Sequence, residues 1–319
     1  MFEGFNKDRA KIHSFFTMRL KFYFSIAALV LLTANSLSKN IFCSSFSEET
    51  LLSATDGTGR TVTLKKIPER IISLGAASTE ILFEAGAEKQ IAAVSSVSDF
   101  PPQAKALPKA GGFESSTISF ETILAINSDF VIIYKGMHDF LIPQLERFKI
   151  PYYISDVQNV PQVIEEITAL TKLTGHGEKC AELEEKYNSV LKEIQAKTQN
   201  SNFRPGVYYE IWATPFISTG NKSFINSLIE LAGGKNIFSK IENPYPTVSE
   251  EAIISSNPDF IIIAEKSALT EKDIKARRGW QKISAVQNNR IFFVDDDIFS
   301  RPGPRIFQAL KTLNGIFHE

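Results

Sequence analysis

Few residues in this sequence have the types and spacing to do chemistry. Asp295-Asp296-Asp297 offers carboxylates to a divalent cation, which takes oxygen ligands. Adjacent residues do not all face one way, however, and no partner carboxylate or phosphate-cradling glycine loop accompanies the run. There are four histidines. His138 stands in a loop, where an imidazole could ligate a haem iron or a corrinoid cobalt. His176 falls in a helix break, His318 near the C-terminus and His13 in a leader-like segment. Two cysteines, Cys43 and Cys180, are too few for a disulfide scaffold or a four-cysteine zinc site, though they could pair with each other. Gly75-Ala76-Ala77-Ser78 lacks the G-x-S-x-G frame of a nucleophile elbow. Binding is therefore the better reading, and a metal chelatase-like enzyme is the remote catalytic alternative.

Aromatic residues carry the stronger signal. Rings recur in segments that follow apolar runs: Phe100, Phe113, Trp212, Phe216, Tyr245 and Phe299. Core packing does not ask for rings in loops. A cleft walled by them, with a few polar groups such as Lys135, Asp297 and Arg301, suits a large and partly apolar ligand.

Those loops need elements to hold them, and an internal repeat supplies the plan. Thr117–Ile133 and Thr247–Ile263 align at a constant offset of 130, with nine of 17 positions identical. A period this long means two related lobes, not a solenoid. In each copy a serine, Ser119 or Ser249, is placed to cap a helix, and a glutamate, Glu121 or Glu251, falls in its first turn. Asn-x-Asp then makes a turn into an apolar strand. Ile81–Gly86 and Leu228–Gly233 read as helix ends closed by glycine. Strands are expected at 70–74, 91–94, 130–134 and 152–155 in the first lobe, and at 206–211, 260–264 and 290–294 in the second. A helix feeding a fully apolar strand is half of a parallel α/β layer. Between the lobes, 160–173 and 178–198 have helical periodicity and no Gly/Ser linker character, which predicts a rigid strut. The fold class is α/β: two Rossmann-like lobes with a ligand cleft between them, joined by one long rigid helix.

Composition is that of a soluble globular chain: 43% hydrophobic, 22% charged and a net charge of -1, with no basic excess to suggest nucleic acid. At the N-terminus, Arg19 and Lys21 precede an apolar run from Phe22 to Leu32 and a polar stretch to Asn40, the secretory pattern. The run is shorter than the ~20 residues a membrane span needs. Cleavage is expected after Ser36, with Met18 a candidate true start. Cys43 is a candidate lipidation site, although Phe42 before it is large. The organisation is then a signal peptide at 1–36, an N-terminal lobe at 37–156, a helical connector at 157–200 and a C-terminal lobe at 201–319.

From Arg70 to the C-terminus the chain resembles the helical-backbone substrate-binding proteins of bacterial ABC importers for cobalamin, haem and iron–siderophores (class III periplasmic binding proteins). The stretches that carry the resemblance are Ser95–Gln103, Pro215–Gly220, Ala232–Phe238 and Phe299–Ile306. The likeness is greatest to the members that bind cobalamin. It implies an exported monomer in the periplasm or cell envelope, lipid-tethered if Cys43 is modified. It would need no cofactor, and would deliver its ligand to a permease dimer with ATPase subunits. It implies that Glu121 and Glu251 dock onto permease arginines, one per lobe. It implies that Phe113, Phe216, Tyr245, Asp297 and Arg301 contact the ligand. Phe113 and Tyr245 stand where cobalamin binders carry tryptophans, and Ser300 replaces an expected acid. Haem binders often supply an axial tyrosine at Phe113, and a phenyl ring cannot ligate iron, which leaves His138 or Tyr245. Anionic siderophores would ask for several cleft cations, and only Lys135 and Arg301 are evident.

Overall fold

Strand-forming runs and a glycine-marked turn open the described residues with an antiparallel hairpin, β1 (Leu52–Thr55) and β2 (Thr61–Leu64). Strand β2 buries Val62 and Leu64 and exposes the threonines between them, the period of a half-buried strand. Asp56 closes the turn by accepting from the backbone N–H groups of Thr58 and Arg60, each at 3.0 Å. The computed structural model describes residues 51–112, 115–199 and 203–318. The expected leader, the cleavage expected after Ser36 and the candidate start at Met18 lie outside these residues.

The N-terminal lobe continues through β3 (Ile71–Ser73), α1 (Ala76–Ala85), β4 (Ile91–Ser95), β5 (Lys109–Gly111), α2 (Phe120–Ile126), β6 (Phe130–Tyr134), α3 (Ile142–Arg147) and β7 (Tyr152–Ser155). Its five strands pair in parallel in the order β5-β4-β3-β6-β7. Two helices follow, α4 (Val160–Leu173) and α5 (Cys180–Gln199). The C-terminal lobe runs β8 (Gly206–Glu210), β9 (Trp212–Ala213), β10 (Phe216–Ile217), α6 (Phe224–Leu231), β11 (Lys235–Asn236), α7 (Glu250–Ser256), β12 (Phe260–Ala264), α8 (Glu271–Ala276), α9 (Ser284–Gln287), β13 (Ile291–Val294), α10 (Asp296–Ser300) and α11 (Ile306–His318). Its sheet is also parallel, in the order β11-β8-β12-β13. The antiparallel β9–β10 hairpin stands beyond the end of β8.

The repeat is structural as well as sequential. Ser119 Oγ accepts from Thr122 N–H at 3.3 Å and Ser249 Oγ from Ala252 N–H at 3.1 Å, so both serines cap their helices. Asn127 (φ 54°) and Asn257 (φ 43°) end those helices in the left-handed conformation that asparagine tolerates. Strands β6 and β12 follow, and both split their side chains in the same way. Phe130, Ile132, Phe260 and Ile262 point into a core at the back of the molecule, while Val131, Ile133, Ile261 and Ile263 point to the opposite faces.

That back core is continuous across both lobes. It joins Ile71 and Ile132 of the first sheet to Val207 and Ile262 of the second through Val163, Ile167 and Leu170 of α4, Tyr187 and Ile194 of α5, and Leu310 of α11. Both lobes belong to one compact unit, Leu51–Glu319. The connecting region consists of two helices with different roles. Helix α4 packs on β1 and α1, and so belongs to the first lobe's layer. Helix α5, with 20 residues the longest described, lies between α4 and α11. At 1.5 Å per residue it is about 30 Å long. Among the described residues, no helix is long and apolar enough to cross a membrane.

Candidate functional site

In an open parallel sheet, ligands bind beyond the carboxyl ends of the strands. On the C-terminal lobe that edge is rich in rings. Trp212 and Tyr245 expose 54% and 52% of their surface, high values for large aromatics at a strand edge. Phe216 is half-buried on β10, paired across the hairpin with Ala213. Tyr134, at the end of β6, lies opposite. Burial raises its phenol's pKa, and the next influence is Tyr245, followed by Glu166 and Asp156. Tyr134 and Tyr245 therefore share one neighbourhood across the cleft. Tyr134 was missed from sequence because it ends an apolar run and reads as core.

Behind Phe216 lies a stack of flat groups. Its ring centroid is 6.0 Å from Trp280, and the Arg277 guanidinium covers both rings at 5.1 and 4.5 Å. Glu210, 1% exposed, holds Arg277 through two bonds of 2.6 and 2.8 Å. The bidentate geometry satisfies the buried carboxylate with a partly buried guanidinium. Trp280 is fully buried, and its Nε1–H donates to Glu250 Oε1 at 2.9 Å.

The charged residues expected in the cleft are already engaged. Arg301 donates to Asp99 Oδ1 at 2.6 Å and lies 2.9 Å from Asp297 Oδ1. Asp297 in turn accepts from Lys266 at 2.6 Å. Partial burial of Asp99 would raise its pKa, but the Arg301 bond and charge outweigh it and hold the carboxyl below its usual range. Arg305 forms a bidentate pair with Glu80 of α1, at 2.9 and 2.7 Å. Arg301 and Arg305 thus tie the C-terminal lobe to the N-terminal one. Gly303, between them, runs alongside α1, where an added Cβ would stand in ordinary contact with Ala77 at 3.4 Å. Lys135 donates to Asp156.

Several expectations need correction. His138 is fully buried, and its Nδ1 accepts from Tyr134 N–H at 3.0 Å, so it folds a turn instead of reaching a ligand. Phe100 turns away from the aromatic edge. Its ring lies under Arg305 at 4.0 Å and lines a groove of about 850 Å³ with Phe83, Tyr187 and Phe307. Phe299 belongs to the back core, 4% exposed, because the chain after β13 is helical and not a loop. A second groove, of about 780 Å³, lies between β1, α4 and α5. Neither groove is lined by Trp212, Phe216 or Tyr245. The triple aspartate is used locally: Asp295 caps α10 by accepting from Asp297 N–H at 2.8 Å. Among the described residues no cluster of three or more metal-ligating side chains forms. Cys180 is buried and its thiol donates to Thr168 O at 3.7 Å. Phe113 and Cys43 lie outside the described residues.

Glu121 and Glu251 occupy equivalent exposed places in the first turns of α2 and α7. Ser119 Oγ donates to Glu121 Oε2 at 2.6 Å, and this bond is the main cause of that carboxyl's lowered pKa.

Two parallel α/β lobes on a shared helical spine, with an aromatic edge facing the gap, define a two-lobed substrate-binding protein. The chain belongs to the periplasmic binding protein family, which it matches over residues 71–298. It is similar to the vitamin B12-binding protein of Vibrio campbellii, at 31% identity over 77% of this chain and 88% of that protein. It is 26% identical to the uncharacterised ABC transporter substrate-binding lipoprotein YvrC of Bacillus subtilis, over 81% of this chain and 82% of the relative. The crystal structure of the periplasmic vitamin B12 binding protein BtuF of Vibrio cholerae superposes with a TM-score of 0.70 at 28% identity, covering 79% of this chain and 97% of that one. The chain is thus a binding protein and not an enzyme.

Proposed function

We propose that this chain is the extracytoplasmic substrate-binding protein of an ABC importer, and that its cargo is cobalamin or a related corrinoid. The carrying observation is the exposed pair Trp212 and Tyr245 with Phe216 beside them, at an edge where Lys266, Arg301 and Lys135 are all engaged by carboxylates. A large, flat ligand with little net charge fits rings without free cations. An anionic siderophore would have to break those ion pairs to gain its own. The relatives named vitamin B12-binding proteins support the same reading. Haem is the second reading, because the Tyr134 and Tyr245 phenols share the cleft and a phenolate can ligate iron. The chain would be exported to the periplasm or cell envelope, tethered there if Cys43 is lipidated, and would act as a monomer. Glu121 and Glu251 would present the loaded protein to a permease dimer whose ATPase subunits power release.

Titration of the purified protein with cyanocobalamin, haemin and a ferric siderophore, followed by calorimetry and visible absorption, tests this. Saturable one-to-one binding of cyanocobalamin is expected. Trp212→Ala, Phe216→Ala and Tyr245→Ala should each weaken it about three- to tenfold, the range for losing one aromatic contact. Haemin binding with a ligand-field band that Tyr245→Phe abolishes would move the cargo to haem. Binding that none of these substitutions alters would remove the cleft assignment.

A further inference from the structure

We infer that Glu250 is a positioning residue: through Trp280 it fixes the Phe216 face of the cleft and joins that face to the docking turn. The inference rests on the proposed seat of the ligand against Phe216. Two groups stand behind that ring, the Trp280 indole and the Arg277 guanidinium, and a carboxylate holds each. Glu210 clamps Arg277 with bonds of 2.6 and 2.8 Å, and Glu250 holds the Trp280 indole N–H at 2.9 Å. The indole and the guanidinium form the surface on which Phe216 lies. A fully buried indole N–H that lost its acceptor would carry the cost of an unmade hydrogen bond, and the ring would turn to recover one.

The repeat shows that the helix itself does not need this carboxylate. The residue at the equivalent position of α2 is Phe120, whose ring packs on Phe148 with centroids 5.2 Å apart. An apolar side chain therefore suits the first position of such a helix, and the glutamate in α7 serves the indole. The same segment is bonded to the cleft wall by its backbone. Val248 N–H donates to Phe216 O at 3.0 Å, and Ile217 bridges Thr247. Backbone bonds thus join the Tyr245 segment and the first turn of α7, with Glu250 and Glu251, to the Phe216 hairpin.

Cyanocobalamin and haemin affinities, measured by calorimetry on the full chain, test the inference. Glu250→Ala should weaken the bound probe about three- to tenfold, and Trp280→Phe, which keeps the ring and removes the donor, should do the same. Glu250→Gln retains an acceptor oxygen and should stay within about twofold of the parent. In a Phe216→Ala background, Glu250→Ala should cause no further loss, since there is no ring left to position. Of the two tryptophans in the sequence, Trp212→Phe leaves Trp280 as the single indole fluorophore, and Glu250→Ala should red-shift its emission and move the Phe216 ring-proton shifts in the unliganded protein. Unchanged emission and ring shifts, or an equal loss of affinity with and without Phe216, would overturn the inference. Failure of the parent to bind either probe would instead overturn the cargo assignment, while the unliganded spectra still decide the role of Glu250.

Discussion

Glu166 shows how much a single side chain can be asked to bear. It lies on α4, 3% exposed, beside the start of α1 and the end of β7. Ser155 Oγ donates to it at 2.8 Å and Ser78 Oγ at 3.3 Å. Those two bonds favour the anion, but burial outweighs them and pushes the carboxyl up to about 7. In the unfolded chain the group has its ordinary value of 4.5. Between these two values the native state holds a proton that the unfolded state has released, so stability falls as pH rises and the loss is complete above about 7. At about 1.36 kcal/mol per pH unit the penalty is on the order of 3 kcal/mol. Glutamine can accept from Ser155 and donate to Ser78 without any charge. Glu166→Gln should therefore be more stable than the parent at pH 8 and nearly equal to it at pH 4.5. Urea unfolding of both proteins at the two pH values measures this. Parallel pH profiles would mean that Glu166 is not the group that titrates.

At the scale of elements, the paired helices α2 and α7 are the argument for docking. Each has seven residues, too short to persist without tertiary support, and each holds one exposed glutamate in its first turn. If they engage a two-fold permease, Glu121→Lys and Glu251→Lys should each cut uptake into proteoliposomes about tenfold or more, since a reversed charge faces a cation, with ligand affinity unchanged. Glu185→Lys on α5, equally exposed, should leave uptake alone. These helices were legible in the sequence because capping, first-turn acid and αL asparagine are local chemistry. So were β6, β7 and β12, whose observed limits equal the expected ones, because a doubly covered parallel strand is an unbroken apolar run. The β1–β2 hairpin was not anticipated, although Asp56-Gly57-Thr58-Gly59 is a turn signal between two alternating runs. The site was only partly legible. Trp212, Phe216 and Tyr245 were found as rings in loops. Tyr134 was hidden in a strand, and Glu80, Glu166, Glu210 and Trp280 find their partners at a distance in sequence that no periodicity encodes.

For the molecule as a whole, two features hold the lobes in one relation, and they can be separated. One is the back core, which passes from sheet to sheet through α4, α5 and α11. The other is the ionic tie between the lobes, where Arg305 reaches Glu80 of α1 and stacks over Phe100. The Glu80 side chain is 2% exposed, so arginines take the place of the water it lacks. Burial works against the Arg305 charge, yet the Glu80 bond and charge hold its pKa above the usual value. Arg305→Met would leave Glu80 with Arg301 at 3.7 Å as its nearest cation. Removing the bidentate partner of a buried charge is destabilising, at most by the about 3–5 kcal/mol of a fully stranded ion because Arg301 remains, whereas replacing both partners by apolar groups is often close to neutral. Arg305→Met should accordingly lower the denaturation midpoint clearly, and Glu80→Met with Arg305→Met should recover most of the loss. If the apolar core is what joins the lobes, both variants will still unfold in a single transition, with fluorescence and circular dichroism coincident. Two separated transitions in Arg305→Met would show that the ion pair joins them, and the lobes would then be expected to swing apart far more than a shared core permits.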